Sequence, residues 1–263
     1  MGLLALFRNR LRRNKHKDGA PDTLMPLLAL AFSFIQKEDY VAARELLLRA
    51  VERRNEIRDP SIVIWLLETL AWTWTYTDQH RERTDFFTEY IAMYPNDGIA
   101  YAMRAGSLWY SGELQPAIDD YSRAMELAPK YVVAHMGRGQ VFVECGEFRR
   151  ALADLDFAIE NIEQTPITDA RWRDSIRAYS LNGRAAAHAG LGDFDRALEE
   201  FEQSISLCPD NAWVYYNRAE AFENRGDLTR AVADYKLALR MKNPRLTNLK
   251  RKYAEAQLKY LLD

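Results

Sequence analysis

The stretch AWVYYNRAEAFENRGDLTRAVADYKLA, residues 212–238, carries the pattern that decides the architecture. Counted from Gly226, a small residue stands seven positions before (Ala219), and an acid and an apolar residue follow directly (Asp227, Leu228). An alanine stands five after (Ala231), a bulky apolar residue nine after (Tyr235) and a second alanine twelve after (Ala238). The same six columns recur around Gly112, Gly146 and Gly192, at spacings of 34, 46 and 34 residues. The column five after each glycine reads Ala117, Ala151, Ala197 and Ala231; nine after, Tyr121, Leu155, Phe201 and Tyr235. Twelve after stand Ala124, Ala158, Ser204 and Ala238, and seven before stand Ala105, Gly139, Ala185 and Ala219. Six columns in four units mark a tandem array.

The columns read as two antiparallel helices per unit. Residues three and four apart are neighbours on a helix, so the three later columns share one helical face. The stretch before each glycine supplies a first helix, and the glycine reverses the chain because it accepts positive φ. Small residues let the two backbones approach, and the large ones fill the space left between them. Pro95, Pro129 and Pro209 close second helices and open the next unit.

A helix pair with this period and these columns resembles the tetratricopeptide repeat. Weaker copies extend it upstream. Residues 64–97 keep Ala71, Phe87 and Pro95 but put Asp78 at the glycine place and Arg83 at the first alanine place. Residues 24–57 keep Ala31, Ala43, Leu47 and Ala50, with Glu38 for glycine. The resemblance implies an all-α, right-handed solenoid over 24–263, with repeats at about 24–57, 64–97, 98–131, 132–165, 178–211 and 212–244. The wider gap holds an insertion, 166–177, that extends a first helix, with Thr168 and Asp169 as its caps. Residues 245–262 read as a capping helix that solvates the open end, and 1–23 as a basic, flexible tail.

Composition narrows the function classes. Hydrophobic residues make up 48% and charged residues 28% of the 263, which is ordinary for a globular chain. Net charge is −2, but residues 1–23 hold six Lys and Arg against two Asp, so the remainder carries −6. That acidic body argues against nucleic acid as partner. Two cysteines, Cys145 and Cys208, make no disulfide framework and fit a reducing compartment, with cytoplasm as the default. The N-terminus turns from apolar to basic, the reverse of a secretory signal. Residues 1–17 contain no acid and alternate Leu and Phe with Arg. A membrane surface or organelle targeting is therefore expected only through that segment, which could also dock into a groove of its own chain or of a second copy.

No residue set suggests catalysis, a cofactor or a metal. Phosphate-loop, zinc-protease and nucleophile-elbow motifs are missing. Gly137-Arg138-Gly139 falls inside a first helix, where the repeat needs small residues. His135 shares a column with Tyr101, Leu181 and Tyr215 and reads as packing. Arg104, Arg138, Arg184 and Arg218 form a column matched by Asp120, Asp154, Glu200 and Asp234, which reads as a ladder tying paired helices; the competing reading is a grip on an acidic ligand.

In the family, one stripe of the first helices lines a concave groove, and offset carries it onto this chain. It yields Trp65, Glu68, Thr69, Trp72 and Tyr76; Met103, Gly106, Trp109 and Tyr110; Met136, Gly137, Gln140 and Glu144; Tyr179, Asn182, Gly183 and Ala186; and Trp213, Tyr216, Asn217 and Glu220. Aromatic and Met side chains beside small residues suit a peptide or amphipathic helix. Members that clamp a chaperone's terminal carboxylate use Lys, Asn and Arg on this stripe; here only Asn182 and Asn217 match and the lysines are missing. The expected function is a non-catalytic scaffold for a protein or peptide partner, with self-assembly as the alternative.

Overall fold

The computed structural model describes residues 23–165, 170–241 and 246–262. The basic segment 1–22, residues 166–169 with Pro166, Thr168 and Asp169, and Pro244 lie outside the described residues. Among the described residues there are thirteen α-helices and no strand. The fold class is the expected one: all-α, built of helical hairpins. The hairpins gather into two compact units, Met1–Ala128 and Pro129–Asp263.

In the first unit, α1 (Leu24–Gln36) pairs with α2 (Tyr40–Glu52), α3 (Pro60–Tyr76) with α4 (His80–Met93), and α5 (Gly98–Tyr110) with α6 (Leu114–Leu127). In the second, α7 (Val132–Glu144) pairs with α8 (Phe148–Asn161), α9 (Ala170–Gly190) with α10 (Phe194–Leu207), and α11 (Ala212–Asn224) with α12 (Leu228–Arg240). Helix α13 (Asn248–Leu262) follows and packs on α12. Helix α9 runs for 21 residues where α7 and α11 run for 13.

The repeated columns sit where the paired helices meet. Ala105, Ala117, Ala124, Ala151, Ala158, Ala185, Ala197, Ala219, Ala231 and Ala238 are all 0% exposed. At Gly139, which stands among the alanines of the column seven before the turn, a Cβ would lie 2.7 Å from Leu155 Cγ, so even alanine is too large. Ser204 stands in an alanine column, and its buried hydroxyl donates to the Ala178 carbonyl at 2.7 Å, so the polar group is satisfied.

The turn between paired helices is one motif used six times. After α5, the Glu113 N–H donates back to Leu108 O at 2.9 Å and the Gly112 N–H to Trp109 O at 2.9 Å. This is the Schellman arrangement, which satisfies the last carbonyls of the helix and requires positive φ at the reversing residue. Gly112, Gly146, Gly192 and Gly226 have φ between +73° and +88°. Where the upstream repeats lack glycine, the geometry persists: Glu38 has φ +59° and Asp78 +55°, with Asp39 N–H bonded to Phe34 O and Gln79 N–H to Trp74 O.

The repeat at 64–97 departs furthest from the columns. Arg83 occupies the first alanine place and Tyr90 the last small place, both buried. Arg83 donates to the Thr75 hydroxyl at 2.8 Å and to the Met103 carbonyl at 2.7 Å, so its charge is hydrogen-bonded although buried. Tyr90 donates to Asp97 at 3.1 Å and joins a ring cluster with Trp74, Phe86 and Phe87. Arg54 pairs with the same Asp97 at 2.6 Å and lies over Tyr94, centred 4.4 Å from the ring.

A non-glycine residue in the left-handed region costs roughly 1–2 kcal/mol. Glu38→Gly and Asp78→Gly are therefore expected to stabilise the protein by about 1 kcal/mol each. Gly112→Ala, whose Cβ meets nothing within 4 Å, loses a similar amount through the backbone alone. Urea midpoints of the three variants read this; equal midpoints for all three would show that the turns do not hold this geometry.

Candidate functional site

The arginine column is internal. Arg104 forks onto Asp120 at 2.6 and 2.8 Å, Arg138 onto Asp154 at 2.7 and 2.9 Å, and Arg218 onto Asp234 at 2.7 and 3.0 Å. Arg184 reaches Glu200 at 2.9 Å and also Asp156 on α8 at 2.7 Å. The four matched carboxylates are buried, and each pair ties a first helix to its own second helix. Burial pushes the Asp154 carboxyl up, but the fork from Arg138 and the nearby His135 imidazole outweigh it and hold the group below the usual aspartate range. These guanidiniums belong to the fold and are not poised for an acidic ligand.

His135 is likewise a packing residue. Its Nε2 lies 3.0 Å from Pro129 O and its ring stacks on Phe157 at 3.9 Å. In the same column Tyr101 donates to Pro95 O at 3.2 Å and Tyr215 to Pro209 O at 3.1 Å, so histidine does the tyrosine's work. Burial raises the Cys145 thiol above its usual value, and burial with Asp210 pushes Cys208 up to about 12, which keeps both protonated and poorly nucleophilic.

The first helices lie side by side within each unit: α3 along α5 in one, α7 along α9 and α9 along α11 in the other. On α3 and α5 the sequence-derived stripe is aromatic. Trp65, Trp72, Trp109 and Tyr110 are half-buried and Tyr76 is 42% exposed. Tyr76 stacks on Tyr40 at 4.5 Å and lies 6.2 Å from Trp72; Tyr110 stacks on His80 at 4.6 Å. Burial and nearby Arg83 push the His80 imidazole below its ordinary value, which keeps this stack neutral. Glu68 and Met103 are buried beneath, with Met103 O taken by Arg83.

On α7, α9 and α11 the stripe is largely engaged within the unit. Gln140 donates to Tyr179 O at 2.7 Å across the position of Gly183, where a Cβ would collide with the amide at 2.6 Å. Asn217 donates to Asn182 at 3.2 Å. Gln140, Asn182, Trp213, Tyr216 and Asn217 are buried, while Met136, Tyr179 and Glu220 are half-buried. Tyr216 donates to Glu220 at 2.9 Å. Burial raises the Glu220 carboxyl, and Lys250 and the Tyr216 hydroxyl draw it partly back.

Lys250 is the residue that the repeat pattern could not supply. It enters from α13, outside the columns, and its ammonium sits 3.2 Å from Glu144. It lies 4.5 Å from the Trp213 ring centre and 4.9 Å from that of Tyr216. Stripe members of two helices, Glu144 on α7 and Trp213 and Tyr216 on α11, thus meet around one cation.

Family models agree with this geometry. One described as TPR repeat matches residues 187–226, and one described as Tetratricopeptide repeat matches 214–244. Residues 187–244 thus match tetratricopeptide-repeat models. Among curated relatives, Tetratricopeptide repeat protein 36 of Mus musculus is 40% identical over 92 residues, 35% of this chain and 48% of its own length. DnaJ homolog subfamily C member 3 of Homo sapiens is 26% identical over 157 residues, 57% of this chain and 30% of its own length. The alignments thus span less than half of either relative.

Solved structures share the fold. The Cut9 and Hcn1 hetero-tetramer of the APC/C matches with a TM-score of 0.68 at 16% identity, over 99% of this chain and 46% of that one. A thermophilic tetratricopeptide-repeat protein of Thermus thermophilus matches with a TM-score of 0.55 at 20% identity, over 76% of this chain and 99% of its own. A protein-interaction scaffold is the general role that such repeats support. Among the described residues, no helix is long and apolar enough to cross a membrane.

The arginine ladder makes a distinct prediction. Arg138→Met leaves Asp154 buried without its fork and is expected to cost about 3–5 kcal/mol, whereas Arg138→Met with Asp154→Leu recovers most of it. Because the folded Asp154 value is depressed, the pair's contribution is present above the usual aspartate range and is lost as pH falls through the folded value. Urea titrations at neutral and acid pH check both; a double variant no more stable than the single one would refute the ladder.

Proposed function

We propose that this protein is a non-catalytic adaptor that holds a peptide or helix of a partner protein against its first-helix faces. The observation that carries the reading is the aromatic ledge of the first unit. Trp65, Trp72, Tyr76, Trp109 and Tyr110 lie on two adjacent helices and keep part of their surface in water. Such rings offer large apolar area with few rotors to freeze, which is the composition of interface hot spots. Thr69, small and half-buried, stands between the rings of α3, while the space over Gly106 is taken by the Arg83 guanidinium.

The chemistry of the stripe narrows the ligand. Capture of a terminal carboxylate calls for cations on the same face. The two asparagines that match that pattern, Asn182 and Asn217, are buried and bonded to each other. An apolar segment is the better fit. Two free cysteines suit a reducing compartment, with the cytoplasm as the simplest one.

Peptides selected by the full chain from a displayed helical library supply the test. Trp72→Ala and Trp109→Ala are each expected to weaken the selected peptide about 30-fold, since truncated hot spots cost about 2 kcal/mol, while unfolding midpoints move far less. Undiminished binding would dismiss the aromatic ledge as the anchor. Mass that grows with protein concentration, with no peptide selected, would favour the self-assembling scaffold instead.

A further inference from the structure

The seat of Lys250 has the make-up of a recognition site. An ammonium bonded to Glu144 at 3.2 Å stands over two rings, Trp213 and Tyr216, at 4.5 and 4.9 Å. Glu220 completes it from the next turn of α11, held by the Tyr216 hydroxyl at 2.9 Å. Aromatic faces attract cations through their quadrupole, and nearby carboxylates add charge complementarity. Trp213 and Tyr216 are both buried, so the cation stands against desolvated rings, where this attraction is strongest.

The element that delivers the lysine is lightly held. Of the described side chains of residues 246–262, only Leu246 and Ala254 are buried, while Tyr253 is 43% and Tyr260 78% exposed. Tyr253 meets the Tyr216 ring edge-on at 6.3 Å, and Arg251 donates to Leu239 O at 3.3 Å and to Met241 O at 2.6 Å, closing the carbonyl end of α12. A final helix with two fully buried side chains among those described belongs to the part of a structure that opens first. Were Lys250 to leave, Glu144 and Glu220 would lose its ammonium beside the Trp213 and Tyr216 rings. An incoming ammonium would be favoured there over water or an apolar side chain.

We propose that Glu144, Trp213, Tyr216 and Glu220 form a lysine-binding cage on the first-helix face of the second unit, occupied in cis by Lys250. A partner segment bearing an exposed lysine would enter by displacing Lys250 and loosening α13. This inference rests on the reading of first-helix faces as partner surfaces, and adds a ligand class and a built-in competitor.

The test uses the full chain with labelled tryptophan indoles, the Trp213 resonance being assigned with Trp213→Phe. The probe is Nα-acetyl-lysine methylamide, with Nα-acetyl-norleucine methylamide as control. In Lys250→Ala the lysine probe is expected to shift the Trp213 indole with at least ten-fold higher affinity than in the unaltered protein. The norleucine probe should give no saturable shift, and adding Glu144→Gln with Glu220→Gln should remove the response.

A second measurement needs no resonance: n-butylammonium chloride, but not sodium chloride at equal ionic strength, should raise the unfolding midpoint of Lys250→Ala. Lys250→Gln, with a polar side chain of similar reach, replaces Lys250→Ala should that variant fail to fold. Equal affinity in the unaltered and opened proteins, equal response to the two probes, or no response in either Lys250 variant would overturn the cage. These readouts do not depend on Trp72 or Trp109. A selected peptide that loses affinity on substitution of those residues but gains none from Lys250→Ala would keep the aromatic ledge and sink the cage; the opposite pattern would do the reverse.

Discussion

Two helices can lie close along their length only where both backbones present something no larger than a methyl group, and that requirement organises this protein. The alanine columns are closed to water, and one position, Gly139, has no room even for a Cβ. Close approach places the large residues of the +9 column, such as Phe201 and Tyr235, in the space on either side. In the second unit Phe201 is surrounded by Ala185, Ala197, Val214 and Ala221, so one ring fills the gap between its own hairpin and the next. The same approach brings a guanidinium on four of the six first helices within bonding distance of a carboxylate on its partner. Once inside, the two must pair, because either alone would be a buried charge.

The upstream repeats show how the scheme tolerates departures. The reversing turn survives the loss of glycine at Glu38 and Asp78 because its two backbone hydrogen bonds, rather than the side chain, define it. The alanine position lost to Arg83 is made good by routing the guanidinium to the hydroxyl of Thr75 and the carbonyl of Met103, over Gly106. There the geometry holds while the packing chemistry changes, and aromatic rings take over the volume that small residues leave elsewhere.

The two units carry different first-helix faces. In the first, aromatic side chains are partly open, as a surface for an apolar segment demands. In the second, amides and carboxylates are engaged by neighbouring helices or by the ammonium of Lys250. The chain outside its basic first 23 residues carries a net charge of −6, and in the second unit part of that excess, Glu144 and Glu220, is set around aromatic rings.

Much of this was legible in the residues themselves. The helical hairpins, their crossing residues, the reversing turns and the arginine ladder all rest on pairs close in sequence: each forked Arg–Asp pair spans 16 positions. Such spacings repeat and so can be read by eye. The stripe was legible as a set of positions but not as a surface. Whether Gln140 is open depends on the carbonyl of Tyr179, 39 positions on; Asn182 depends on Asn217, 35 positions on. Lys250, on a helix outside every column, meets Glu144 from more than a hundred residues away. Local periodicity determined which faces pack. Only tertiary structure decided which of the remaining side chains stay open, because exposure is a property of what long-range folding lays over a residue, and nothing in its own turn of helix encodes that.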